Sequence, residues 1–135
     1  MASPAKVVMV VEDDDLVRDV IEATLDHAGY HVLAFARGSE ALQALASSPV
    51  DALLTDIMMP ELDGFELSDK ARAIRPDLPI IFMTGYHDIE LEGRPSRAFL
   101  RKPFRPDELT STMRKVIPAA PREPLRLAPE PSAPQ

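Results

Sequence analysis

The chain has 135 residues, 22 acidic against 15 basic side chains for a net charge of −7, and no cysteine. That length holds one domain with one sizeable core, and the missing cysteines exclude disulfides, thiolate metal sites and cysteine nucleophiles while fitting a reducing compartment. The acidic balance makes duplex DNA or RNA a poor partner, no apolar run approaches the roughly 20 residues that span a bilayer, and Met1 to Lys6 shows no export-signal pattern, so a cytoplasmic protein without membrane partners is expected.

Short apolar runs alternate with helical patterns along the chain, as in a parallel α/β sheet. Val7 to Val11 is a continuous apolar run, predicted to be a central strand covered on both faces. Asp14 or Asp15 caps the helix that follows, in which Val17, Val20, Ile21, Thr24, Leu25 and Ala28 share one face, and Gly29 ends it. His31 to Phe35 reads as a second strand, and Gly38 and Ser39 open a second helix that stops near Pro49. Ala52 to Thr55 is the third strand and runs straight into Asp56. A third helix covers about Gly64 to Ile74 and ends before Pro76. Leu78 to Met83 is the fourth strand, Ala98 to Arg101 a short fifth, and Asp107 to Ile117 a last amphipathic helix with Leu109, Met113, Val116 and Ile117 inward. The pattern predicts an N-terminal extension over residues 1–5, a domain over 6–117 and a disordered Pro-rich tail over 118–135. Five such units imply a doubly wound, flavodoxin-like five-stranded parallel sheet of order 2-1-3-4-5 with helices on both faces. Its ligand site is expected outside the carboxyl ends of the strands.

The residues at those ends are unusual for a core. Glu12, Asp13, Asp14 and Asp15 follow the first strand, Asp56 the third, Thr84 and Gly85 the fourth, and Lys102 and Pro103 the fifth. Glu12, Asp13 and Asp56 brought together repel, so their site must raise a pKa or recruit a cation. A few carboxylates plus water suit Mg²⁺. Beside such an ion the Asp56 carboxylate is a candidate nucleophile toward a phosphoryl group. Lys102 would neutralise charge on the phosphoryl oxygens, and Thr84 would hydrogen-bond the group once attached. Taken singly, each of these residues is an ordinary helix cap or turn residue. Their arrival at successive strand ends is what argues for a site.

With these motifs in place, the chain resembles a CheY-like response-regulator receiver domain of bacterial two-component signalling. The resemblance rests on Val-Val-Glu-Asp-Asp at 10–14, Leu-Leu-Thr-Asp-Ile-Met-Met-Pro at 53–60 with Asp63-Gly64, Met-Thr-Gly at 83–85 and Lys-Pro-Phe at 102–104, and it spans about Lys6 to Ile117. It implies Asp56 as phosphoacceptor, Asp13 as direct Mg²⁺ ligand, Glu12 acting through water and the Met58 backbone carbonyl completing the protein's share of the coordination. It further implies Thr84 as switch hydroxyl, Phe99 as switch aromatic, Lys102 as the phosphate-contacting lysine and a cis Lys102–Pro103 peptide. By the same resemblance, Met58 and Tyr86 would occupy the positions that tune phosphate lifetime. Both are bulky, so slow hydrolysis is expected. The implied partners are a sensor histidine kinase or histidine phosphotransfer protein, which would dock on the first helix, and a downstream protein target.

One departure stands out. Thr84 and Lys102 are 18 positions apart, and Gly93 and Pro95 interrupt the segment between them, where Ile89 and Leu91 are the strong apolar residues. This resembles the receiver subgroup whose fourth helix, of five, is short or replaced by a loop, which phosphorylation would then order. Other readings fare worse. A haloacid-dehalogenase-type phosphatase needs a second Asp where Met58 stands, and a nucleotide-binding domain needs a glycine-rich loop after the first strand. A binding-only pseudo-receiver would lack Asp56, Asp13 or Lys102. A receiver fragment of a hybrid histidine kinase stays open as an alternative. The chain is expected to be a switch with modest self-catalysis and not an enzyme. His27, His31 and His87 have no mutual metal-ligand spacing, and the cluster Arg94, Arg97, Arg101 and Arg105 is expected to be solvated or partner-facing.

Overall fold

A computed structural model describes residues 5–85 and 98–117. In chain order the elements are β1 (Val7–Val11), α1 (Asp15–His27), β2 (His31–Phe35), α2 (Gly38–Ser47), β3 (Ala52–Asp56), α3 (Gly64–Ile74), β4 (Ile80–Thr84), β5 (Ala98–Arg101) and α4 (Pro106–Val116). All strand pairs are parallel and the sheet order is β2-β1-β3-β4-β5. This is the doubly wound flavodoxin-like architecture the sequence implies. The segment expected to carry a short or missing helix falls within residues 86–97 and lies outside the described residues, as do Tyr86 and the tail at 118–135.

Why the strands are so uniformly apolar follows from their burial. Alternate residues of each strand supply two separate cores. Val8, Val10, Ala52, Leu54, Ile81, Met83 and Leu100 pack with Ile21 and Leu25 of α1 and with Leu109 and Met113 of α4. Met9, Val11, Leu53, Ile80 and Phe82 face the other way, onto Ala41 and Leu45 of α2 and Leu67 and Ala71 of α3. A one-residue slip in any strand would exchange these sets between faces.

Local signals set the boundaries. Asp14 is the N-cap of α1, accepting from the Val17 N–H at 3.0 Å. After α1 the chain closes a Schellman turn: Gly29, at φ 105°, donates to the Asp26 carbonyl, and the Tyr30 N–H donates to the Leu25 carbonyl, each at 3.0 Å. β4 begins two residues later than the apolar run suggests, because the Leu78 N–H is used in a turn to the Arg75 carbonyl and Pro79 has no donor. β3 runs one residue further, to include Asp56.

Two ties hold the ends of the fold. Arg75, just past α3, donates to the carbonyls of Leu45, Ser48 and Val50, covering the end of α2, which has no basic residue in its last turn. The buried Tyr30 hydroxyl donates to the Ile117 carbonyl at 2.9 Å, fastening the end of α4 to the start of β2. Tyr30→Phe is therefore expected to cost about 1 kcal/mol by leaving that carbonyl unpaired. Urea unfolding would read this as a lowered midpoint at constant slope, and an unchanged midpoint would contradict the tie.

Candidate functional site

Sheet register brings the strand ends together. Val11 lies opposite Thr55, Asp56 opposite Met83 and Thr84 opposite Arg101, so Glu12, Asp56, Thr84 and Lys102 line one edge. The Lys102 N–H donates to the Thr84 carbonyl at 2.7 Å, extending the β4–β5 ladder by one step, and the Lys102–Pro103 peptide is cis, as the resemblance implied.

Glu12 is 1% exposed and both its carboxylate oxygens are engaged: Oε1 accepts from Lys102 Nζ at 2.6 Å and Oε2 from the Asp14 N–H at 3.0 Å. The same ammonium reaches Asp56 Oδ2 at 3.1 Å. One carboxylate oxygen each from Glu12, Asp13 and Asp56 falls within a 4.8 Å spread, the only such cluster of three or more His, Asp or Glu among the described residues. Asp13 is exposed, at the mouth of the site.

The electrostatics match this crowding. Burial, seconded by the charge of Glu12, pushes the Asp56 carboxyl up to about 7, and Lys102 only partly offsets the effect. For Lys102, burial pulls its pKa down, but the Glu12 hydrogen bond and the charges of Asp56 and Glu12 outweigh that and leave it raised. Two carboxylates that share one ammonium leave an unbalanced negative charge, which a hard divalent cation with oxygen ligands would neutralise.

The loop after β3 is held tightly. Gly64 starts α3 against the end of that strand, donating to the Ile57 carbonyl at 2.8 Å, and a Cβ there would lie 2.2 Å from the Asp56 carbonyl oxygen. Asp63 and Glu66 form a reciprocal capping box at this helix start. Between them and Asp56, Met58 is 72% exposed. Thr84 is buried at the end of β4. Phe99 lies half-buried, its ring stacked on Phe82 with centroids 5.5 Å apart, and Phe82 meets Phe65 of α3 at 4.9 Å. The structure thus brings Glu12, Asp13, Asp56 and Lys102 together and lines Thr84 up beside them. It sets Phe99 behind the edge, inward.

Sequence reasoning passed over Arg18. Its guanidinium donates to the Glu12 backbone carbonyl at 2.8 Å and bridges to Asp15. The available signal was a cation in the first turn of a helix, where the macrodipole disfavours one.

Residues 8–114 match the family described as the response regulator receiver domain. The chain belongs to that family. The receiver is 39% identical over 119 residues to the response regulator receiver protein CpdR of Brucella abortus, covering 85% of this chain and 99% of that one. It is also 39% identical over 115 residues to the DNA-binding transcriptional regulator NtrC of Escherichia coli, covering 82% of this chain but 24% of the relative. Among solved structures, a response regulator receiver protein from Sinorhizobium medicae superposes with a TM-score of 0.77 at 28% identity, over 83% of this receiver and 94% of the other. Receivers are signalling switches that use Mg²⁺ at an acidic pocket, and the Glu12, Asp13 and Asp56 cluster fits that ion. No helix among the described residues is long and apolar enough to cross a membrane.

Proposed function

We propose that Asp56 of this receiver takes a phosphoryl group from a histidine kinase or histidine phosphotransfer protein. The reading is carried by one observation: a buried carboxylate and a second acid share one ammonium at the open edge of the sheet. An Asp56 oxygen attacks phosphorus, the P–N bond of the donor phosphohistidine breaks, and its electron pair returns to the imidazole, which takes up a proton. The product is an acyl phosphate on Asp56. Asp13, Asp56 and the Met58 carbonyl would hold Mg²⁺, with Glu12 acting through water, and the ion when bound would supply neutralisation of the phosphoryl oxygens.

The chain's own residues do the rest. Both Glu12 oxygens are occupied by Lys102 and the Asp14 N–H, which supports an indirect role for Glu12. Lys102 is already within reach of Asp56 and would follow the incoming phosphoryl group. The Thr84 hydroxyl would donate a hydrogen bond to an oxygen of the attached group, with Phe99 repacking behind it. Bulky Met58 would slow water attack and lengthen the lifetime of the acyl phosphate, as would Tyr86. Hydrolysis would then be a modest self-catalysed step, and the protein would act as a substrate of its kinase. The donor would dock on an apolar groove beside Lys102 formed by Leu16, Val17, Val20, Ile21, Pro103 and Phe104, where Leu16 is 77% and Val20 59% exposed. The output would be a protein target in the cytoplasm, and the net charge of −7 argues against nucleic acid bound directly. A binding-only role is disfavoured because Asp13, Asp56 and Lys102 are all present and converge.

Intact-mass measurement after incubation with acetyl phosphate tests the proposal. Wild type is expected to gain one phosphoryl group only when Mg²⁺ is present, and Asp56→Asn none. A gain retained by Asp56→Asn would move the phosphoacceptor elsewhere.

A further inference from the structure

The acidic loop between β1 and α1 presents a problem of aim. Asp13 is exposed, and among the described residues its carboxylate forms no hydrogen bond or ion pair that would fix its direction. Glu12 is held by its side chain through Lys102 and the Asp14 N–H, and its own N–H donates to the Phe35 carbonyl at 3.1 Å. What sets the direction in which Asp13 leaves the chain is therefore the plane of the Glu12–Asp13 peptide. The oxygen of that peptide accepts from Arg18 Nη1 at 2.8 Å.

Arg18 is placed where its charge has to be accounted for. It lies in the first turn of α1, at the positive end of the helix dipole, which disfavours a cation. Its side chain is only 18% exposed, whereas that of its ion-pair partner Asp15 is 83% exposed. A guanidinium serving only a surface ion pair would not need to fold back over its own helix start. The fork geometry explains the choice of residue: one nitrogen holds the Glu12 carbonyl while the other holds Asp15, which neutralises the charge close to the acidic cluster.

We infer that Arg18 is a positioning residue for cation binding: by fixing the Glu12–Asp13 peptide it aims the Asp13 carboxylate into the cluster with Asp56. This rests on the proposed Mg²⁺-dependent phosphoacceptor site and extends it to a residue that touches neither the ion nor the phosphoryl group. Loss of Arg18 frees the peptide to rotate and lets Asp13 sample positions outside the cluster. Partners that orient metal ligands in this way set affinity by about 10-fold or more. A purely electrostatic role would have the opposite sign, since removing a cation near the site would tighten Mg²⁺ binding.

Calorimetric titration of the unphosphorylated full chain with Mg²⁺ separates these cases without reading activity. Arg18→Met, which keeps the stem and removes the fork, is expected to raise the Mg²⁺ dissociation constant about 10-fold. Arg18→Lys keeps the charge but cannot hold both partners, and is expected to fall between Met and wild type. It also decides the matter if the Met variant does not fold. Thermal melting without metal checks that each variant is folded. Wild-type affinity in Arg18→Lys, or unchanged or tighter binding in a folded Arg18→Met, would overturn the inference and leave the site reading intact. Absence of Mg²⁺ binding by wild type would overturn both.

Discussion

Gly64→Ala is expected to destabilise the protein by about 3 kcal/mol or more, through a single added methyl group. The new carbon would stand 2.2 Å from the Asp56 carbonyl oxygen, 2.9 Å from Ile57 Cα and 3.1 Å from the Asp56 carbonyl carbon. All three are backbone atoms at the end of a buried strand, so no rotamer change relieves the contact. Relief requires α3 to back away from β3, which stretches the 2.8 Å bond from the Gly64 N–H to the Ile57 carbonyl and shifts Asp56 itself. Stability and phosphorylation should therefore fall together. Gly85→Ala provides the contrast, because its Cβ would meet nothing within 4 Å. Urea unfolding of both variants checks the argument. A Gly64→Ala midpoint close to that of wild type would show that the loop yields without moving the strand.

Asp56→Asn is expected to make the metal-free protein more stable above neutral pH, by roughly 2 to 4 kcal/mol. The sign follows from the direction of the displacement. Burial first, then Glu12, hold the folded-state carboxyl at about 7 against an ordinary 3.8, with Lys102 opposing. A carboxyl raised on folding contributes stability below its unfolded value and loses that contribution as pH rises through its folded value. Wild type therefore becomes less stable relative to Asp56→Asn between about pH 4 and pH 7, and the gap stays constant above. Lys102 keeps Glu12 as a partner in the variant. Denaturation with chelator present at pH 4, 6 and 8 reads the gap, which should vanish at the lowest pH. Saturating Mg²⁺ should restore wild type preferentially, since a ligand that binds only the folded state stabilises it by mass action. A gap that does not change with pH would mean Asp56 is not held in a carboxylate-hostile site.

The strand ends were legible from sequence for a physical reason. A strand buried on both faces must be a continuous apolar run, and the first charged residue after it marks the sheet edge. Val7 to Val11 followed by Glu12, and Ala52 to Thr55 followed by Asp56, declare themselves in this way. Contacts made to carbonyl oxygens leave no such trace. Arg18 on Glu12 and Arg75 on Leu45, Ser48 and Val50 obey no period and join residues up to 30 positions apart. The Asp63–Gly64 pair was visible as a motif, but the reason for its glycine was not, since the clash is with backbone brought near only by folding. The division into two cores also needs the sheet order, which decides that α1 and α4 share one face.

The column of rings from Phe65 through Phe82 to Phe99 amounts to a preset bias. A well-placed aromatic pair contributes about 0.5–1.5 kcal/mol beyond its buried area, a roughly two- to tenfold preference for the stacked arrangement. Any state with Phe99 turned outward starts at that disadvantage. Any modification or partner that favoured such a state would have to supply at least this much differential free energy before outward rotamers predominated. The inward rotamer is thereby the weighted one, and shaving Phe82 to a smaller side chain would even out the two Phe99 populations.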